Sequence, residues 1–168
     1  MGQEIGGLTA EELAAVRTLL EIEKIRRKKL LYSQLMDGNR HEEFAELYTE
    51  DAIGEWGPFG TWHGRDKILE RIKFQFEGKQ PFNWLHMTTN LAIELTGSDT
   101  AVSRCYLQDV ITEADKRTSP TAWFAIYEED WLKVDGDWMI KHHRIHFLWP
   151  SRELSSEFGR RITPSSLG

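Results

Sequence analysis

"LHMTTNLAIELTGSDTAVSRCYLQD", Leu85 to Asp109, reads as two strands joined by a tight turn at "TGSDT", and their parity decides the fold. In the second strand Ser103, Cys105, Leu107, Asp109 and Ile111 share one face, and Val102, Arg104, Tyr106, Gln108 and Val110 share the other. The first set is small or apolar except for Asp109, so that face is predicted to be buried. An acid between Leu107 and Ile111 needs a partner, because an unpaired buried carboxylate is costly. The alternative is a bulge that turns Asp109 outward. In the first strand His86, Thr88, Asn90 and Ala92 share a face opposite Leu85, Met87, Leu91 and Ile93, with a register irregularity near Thr89 and Asn90.

Two more strands follow, "TAWFAIYEEDWLKV" and "DWMIKHHRIHFLW", joined by "VDGD" with its hairpin-favouring Asp-Gly pair. The polar stretch "EADKRTSP" is a longer connection. Upstream, "LTAEELAAVRTLLEIEKIRRKKLLYSQLMDG" has helical periodicity, with Thr9 and Glu12 at capping-box spacing. Leu13, Val16 and Leu20 form one face and Ile22, Ile25, Tyr32 and Met36 another, and the length predicts a break near residues 21–24. "RHEEFAELYTED" makes a short second helix through Phe44, Leu47 and Tyr48. "AIGEWGPFGTWHG" makes short strands around a turn, and "RDKILERIKFQFEG" a third helix buried along Ile68, Ile72 and Phe76. Helices first and antiparallel strands afterwards define an α+β domain. Three helices packed on a strongly curved, mainly antiparallel sheet would enclose a pocket. The domain spans residues 1–150; the polar tail 151–168, anchored by Phe158, either lacks fixed structure or folds over the opening.

A chain of 168 residues is long enough for one real core. The formal net charge of -6 argues against a nucleic-acid surface, which needs clustered Lys and Arg. The basic run "KIRRKK" follows "EIE" inside the first helix and reads as a solvated face. The lone cysteine, Cys105, forbids an intrachain disulfide. No signal peptide and no membrane-length apolar run is visible, so a cytoplasmic location is expected. Seven Trp and eight Phe point to an aromatic interior or an aromatic-lined pocket.

Asp37 is the odd residue of the first helix. It falls at the C-terminal end, where the macrodipole disfavours an acid by roughly 0.3–1 kcal/mol. Gly38 accounts for the stop through a left-handed cap, but not for the acid. Asp37 is either a solvated turn residue or the partner of a cation elsewhere. His86 supplies one candidate, because a carboxylate beside a buried imidazole fixes its tautomer and makes it more basic, as a general base requires. In "KHHRIH", His142, Arg144 and His146 share a face, with His143 and Ile145 opposite. Arg144 between two ligand candidates disfavours a zinc site, and suits an anion partner or a structural ion pair better. Nucleophilic-serine, phosphate-loop and dinucleotide motifs are absent.

The order of helices, aromatic turn and strands, carried by "IRRKKLLYSQLMDG", "FAELYTEDAIGEWGPFGTWHGRDKI", "LHMTTNLAIELTGSDTAVSRCYLQD" and "DGDWMIKHHRIHFLW", resembles the nuclear transport factor 2-like superfamily in its SnoaL-like branch. The resemblance covers about residues 10–150 and implies a cone with the site inside. The set Tyr32, Asp37, His86 and Asp109 resembles that of the bile acid 7α-dehydratase family. The Asp37–His86 pair is also similar to the dyad of the hexachlorocyclohexane dehydrochlorinase family, and the scytalone dehydratase family shares the fold and a comparable arrangement.

The resemblance implies a lyase that uses no metal or organic cofactor. His86 would take a proton from carbon, and Tyr32 and Asp109 would assist a departing oxygen. Tyr32 and Asp37 are five positions apart, so both reach one pocket only if Asp37 lies beyond the last turn. Either His143 or Arg144 fills the family's arginine position. Tyr48, Trp56, Trp62, Trp84 and Trp123 are candidate walls for a hydrophobic aromatic or steroid-like substrate. A homo-oligomer, commonly a trimer, is implied as well. The same fold hosts isomerases, epoxide hydrolases, carbon-carbon lyases and non-catalytic binders, which stand as alternatives.

Overall fold

The computed structural model describes residues 7–112, 121–154 and 158. Helix α1 (Ala10–Asp37) starts at a complete capping box: Thr9 Oγ1 accepts from the Glu12 amide, and Glu12 accepts from Thr9. The predicted break is not there, and the helix runs unbroken. Its buried stripe begins only at Ile25 and continues through Lys29, Tyr32 and Met36 to Asp37. Leu19 and Leu20 are exposed.

The end of α1 differs from the expected cap. Gly38 has φ -82, and the left-handed residue is Asn39, at φ 54. Glycine is required at 38 for space, since an added Cβ would come within 2.9 Å of the Gln34 carbonyl oxygen. Helix α2 (His41–Ala45) is shorter than predicted. Tyr48, expected within it, opens strand β1 (Tyr48–Glu55). A 3-10 turn (Gly57–Phe59) leads to β2 (Thr61–His63). Helix α3 (Arg65–Phe76) then buries Ile68, Ile72 and Phe76, the predicted stripe.

Four long strands follow: β3 (Trp84–Leu95), β4 (Thr100–Ile111), β5 (Thr121–Val134) and β6 (Asp137–Trp149). The sheet order is β2-β1-β6-β5-β4-β3, antiparallel except between β1 and β6. It is an open sheet that wraps the helices into a cone. The connection at 113–120 lies outside the described residues. So does most of the tail, 155–157 and 159–168. Phe158 packs on His146 and Arg104, on the side of the sheet away from the helices.

Parity on β4 is as expected, with Ala101, Ser103, Cys105, Leu107 and Asp109 buried. The irregularity on β3 also falls where predicted. Asn90 has φ 55, and the register shifts between Thr89 and Ala92. Its consequence is the opposite of the expectation. The extra residue moves Leu91, Ile93 and Leu95 onto the core side, where Ile93 faces Ser103 and Leu95 faces Ala101. They therefore share the inner face with His86, which stands opposite Asp109.

Candidate active site

Three elements meet beside the cavity. The last turn of α1 brings Asp37, β3 brings His86, and β4 brings Asp109, each under a tenth exposed. Asp37 Oδ1 lies 2.5 Å from His86 Nδ1, and the two Asp37 oxygens accept the His86 backbone N–H at 3.2 and 3.1 Å. A carboxylate that only accepts leaves one arrangement for the ring. In the neutral ring Nδ1 carries the proton, and Nε2 is left with a lone pair. That lone pair faces Asp109, whose Oδ2 lies 4.0 Å away. Asp109 Oδ1 is buried and has no hydrogen-bond partner among the described residues. Burial pushes the Asp109 carboxyl above the usual carboxylate range, against the pull of His86 and with a further push from Asp37. The opening of α1's last turn onto this site is the reason an acid is tolerated there.

Beside this pair is a cavity of about 60 Å³, mostly apolar, with His86, Asp109 and Gln75 among its few polar walls. Trp56, Trp84 and Trp123 line it, as do Phe59, Phe76 and Phe147. Phe59 is its one exposed member, and Gln75, Trp84, Ile111 and Trp123 are half-buried. Trp62 and Tyr48 stand one layer behind: Trp62 stacks on Trp56 at 4.1 Å, and Tyr48 is fully buried against Phe44. His143 is also behind the wall, packed on Trp56 and Tyr127. Arg144 is on the opposite face of the sheet, paired with Asp130 at 3.2 Å and Glu55 at 3.4 Å. Tyr32 does not line the cavity, because Asp37 is still inside the helix; its hydroxyl lies 3.4 Å from His143 Nε2.

Sequence reasoning missed the layer beneath. Lys29, one of the basic run, is fully buried and paired with Glu129; the neighbouring Lys24, Arg26 and Arg27 are the solvated ones. Glu129 also accepts from Ser103 Oγ, which in turn accepts from Trp131 Nε1 at 2.8 Å. Burial opposes ionisation of Glu129, yet Lys29 and His143 outweigh it and hold the carboxyl at about 2. Burial pulls His143 down to about 4 despite Glu129 beside it. Tyr127, a cavity wall, was also missed. The alternation Trp123, Ala125, Tyr127, Glu129, Trp131 on one face of β5 was the available signal for both.

A cone of three helices on an open sheet, with an acid-base pair against an apolar cavity, defines a class of small-molecule pocket domains. The family model of the SnoaL-like domain matches residues 17–144, and the chain belongs to that family. Solved structures agree in fold. A protein of Novosphingobium aromaticivorans provisionally named a scytalone dehydratase is 23% identical, with 86% of this chain and 97% of that one covered and a TM-score of 0.70. An NTF2-like protein with a cystatin-like fold from the same organism gives 23%, 87% and 94%, with a TM-score of 0.73. ActVI-ORFA of Streptomyces coelicolor gives 16%, 75% and 96%, with a TM-score of 0.64. No curated protein sequence matches the chain. No described helix is long and apolar enough to cross a membrane.

Proposed function

We propose that the protein is a cofactor-independent lyase of the dehydratase type, acting on a hydrophobic aromatic or steroid-like small molecule. The observation that carries this is the 2.5 Å contact between Asp37 and His86 Nδ1, which leaves Nε2 as a base beside a carboxyl that burial shifts toward its protonated form. Two titratable groups with opposed environments supply the base and the acid of an elimination. His86 Nε2 takes a proton from carbon, and the C–H electrons form the new double bond. The C–O bond breaks as Asp109 protonates the leaving oxygen, and water departs. The imidazolium and the carboxylate so formed are 4.0 Å apart, near enough for one water to return the proton. Tyr32 takes no direct part, since its hydroxyl lies against His143, a layer away from the cavity.

The cavity is smaller than an aromatic substrate, so Phe59 and Trp123, among its less buried walls, swing aside on binding. Exposed apolar residues on α1 (Leu19, Leu20) and on the outer sheet face (Tyr106, Phe124, Trp149) support a homo-oligomer, with the trimer suggested by resemblance.

The test is a panel of hydroxylated aromatic and alicyclic ketones followed by mass spectrometry. The expected product has lost one water, and His86→Ala, checked as folded by circular dichroism, loses at least about 10²-fold in rate. Unchanged turnover in that variant would sink the proposal. Products of unchanged mass mean an isomerase, loss of a small carbonyl a carbon-carbon lyase, and gain of water an epoxide hydrolase. Binding without any turnover means a binding domain.

A further inference from the structure

Helix α1 carries a second apolar stripe, on the side away from the core. Val16, Leu19, Leu20, Leu30 and Leu31 are all exposed, Leu19 by 64% and Leu20 by 56%. Ile25, where the buried stripe begins, lies at the midpoint of this outer one. Leu20 and Leu30 stand five positions either side of it, Leu19 and Leu31 six, and Glu23 and Arg27 two. At about 100° per residue, these six lie within roughly 60° of the line opposite Ile25. The outer face is therefore apolar, then charged, then apolar along about 18 Å of axis, and its two central charges have opposite sign. Glu23 and Arg27 bond each other at 3.0 Å, and the Arg27 side chain is 78% exposed. The flanking cations have acids within the helix, Lys24 with Glu21 at 2.7 Å and Arg26 with Glu23 at 3.5 Å.

A face whose apolar layers repeat and whose charges exchange sign when it is turned end for end is its own complement. We propose that the outer face of α1 is a two-fold interface with α1 of a second copy, the helices antiparallel and crossing at Ile25. In that register Leu20 of each copy faces Leu30 of the other, and Leu19 faces Leu31. Glu23 of each faces Arg27 of the other, so that each contact occurs twice, as a two-fold axis requires. Val16 meets Gln34 at the two ends, where the stripe stops. A parallel pairing would instead set Glu23 against Glu23 and Arg27 against Arg27. Burial of the leucines drives the association, and the central ion pairs fix its direction. The inference rests on the homo-oligomer proposed above and names one of its contacts; it does not rest on the elimination chemistry.

Sedimentation equilibrium across the micromolar range reads the assembly. The wild type is expected to contain an even number of chains. Glu23→Arg and Arg27→Glu each set like charges face to face at both pairs, and each is expected to weaken association by about tenfold. An equal mixture of the two restores opposite charges at both pairs, and with them the wild-type affinity. Loss of fold in either variant would not be repaired by mixing. Direction is read by cross-linking under mild oxidation, with the native Cys105 buried and out of reach. Leu20→Cys alone and Leu30→Cys alone are expected to stay uncross-linked, because like positions lie about 15 Å apart along the axis, beyond disulfide reach. Their mixture is expected to form a covalent dimer. Cross-linking of either variant alone, none in the mixture, or charge variants that associate like the wild type would overturn the proposal. Three chains unmoved by any of these substitutions would overturn the α1 contact and leave the homo-oligomer standing; a single chain at every concentration would end both.

Discussion

Asp37 does two jobs with one carboxylate: it anchors the His86 backbone and fixes the His86 ring. Asp37→Asn retains an acceptor for the backbone but lets the imidazole take the wrong tautomer. Turnover is expected to fall by about 10²–10⁴-fold, measured as kcat on any substrate found by mass spectrometry. Asp109 makes a different prediction. Its folded-state pKa is raised, so the folded protein holds that proton to higher pH than the unfolded chain. Ionisation therefore costs stability as pH rises through this interval. Asp109→Asn is expected to raise Tm at alkaline pH, with the gain shrinking to nothing as pH falls below the carboxylate range. A Tm gain independent of pH would contradict the assignment. Lys29→Met strips Glu129 of its cation inside the core and is expected to cost about 3–5 kcal/mol in denaturant unfolding.

Among the elements, β3 shows what pattern alone conveys. Strict alternation on β4 was legible because each inward position except Asp109 is small or apolar, while Arg104, Tyr106 and Gln108 alternate with them on the outer face. On β3 the bulge was legible as a break in that pattern, but not in its effect. A single extra residue reverses every later side chain, and the sign of the reversal depends on which partner residue is skipped. Asn90→Val, with a branched side chain forced to φ 55, is expected to cost about 1–2 kcal/mol per the left-handed penalty, and Asn90→Gly almost nothing. Deleting Asn90 removes the extra residue, so regular alternation keeps Leu91, Ile93 and Leu95 facing inward opposite the same β4 partners, and the variant is expected to fold with its amide dispersion retained. At the other end of the chain, Thr9→Ala removes a cap worth about 1 kcal/mol. The first turns of α1 bury little, so amide exchange there should quicken while global unfolding stays nearly constant.

Taken whole, the molecule is a cone with the Asp37–His86 pair beside its apolar cavity and the buried Lys29–Glu129 pair a layer behind. The meeting of Asp37, His86 and Asp109 was legible because each of the three broke a local rule: an acid at a helix C-terminus, a histidine and an acid on buried strand faces. Lys29 and Glu129 were not. They are 100 residues apart, and a lysine inside "KIRRKK" carries no mark that distinguishes it from its solvated neighbours. The wall was legible in kind, through the number of aromatics, but its layers were not. Whether Trp56 or Trp62 meets the cavity depends on how one ring stacks on the other. Everything proposed for catalysis depends on the protonation pattern of one imidazole. The most direct measurement is the nitrogen-15 spectrum of the His86 side chain at neutral pH, assigned against His86→Ala. A proton held on Nδ1, a bare Nε2, and loss of that pattern in Asp37→Asn are expected. A proton on Nε2, or a ring averaging freely between its two tautomers in the wild type, would contradict the account.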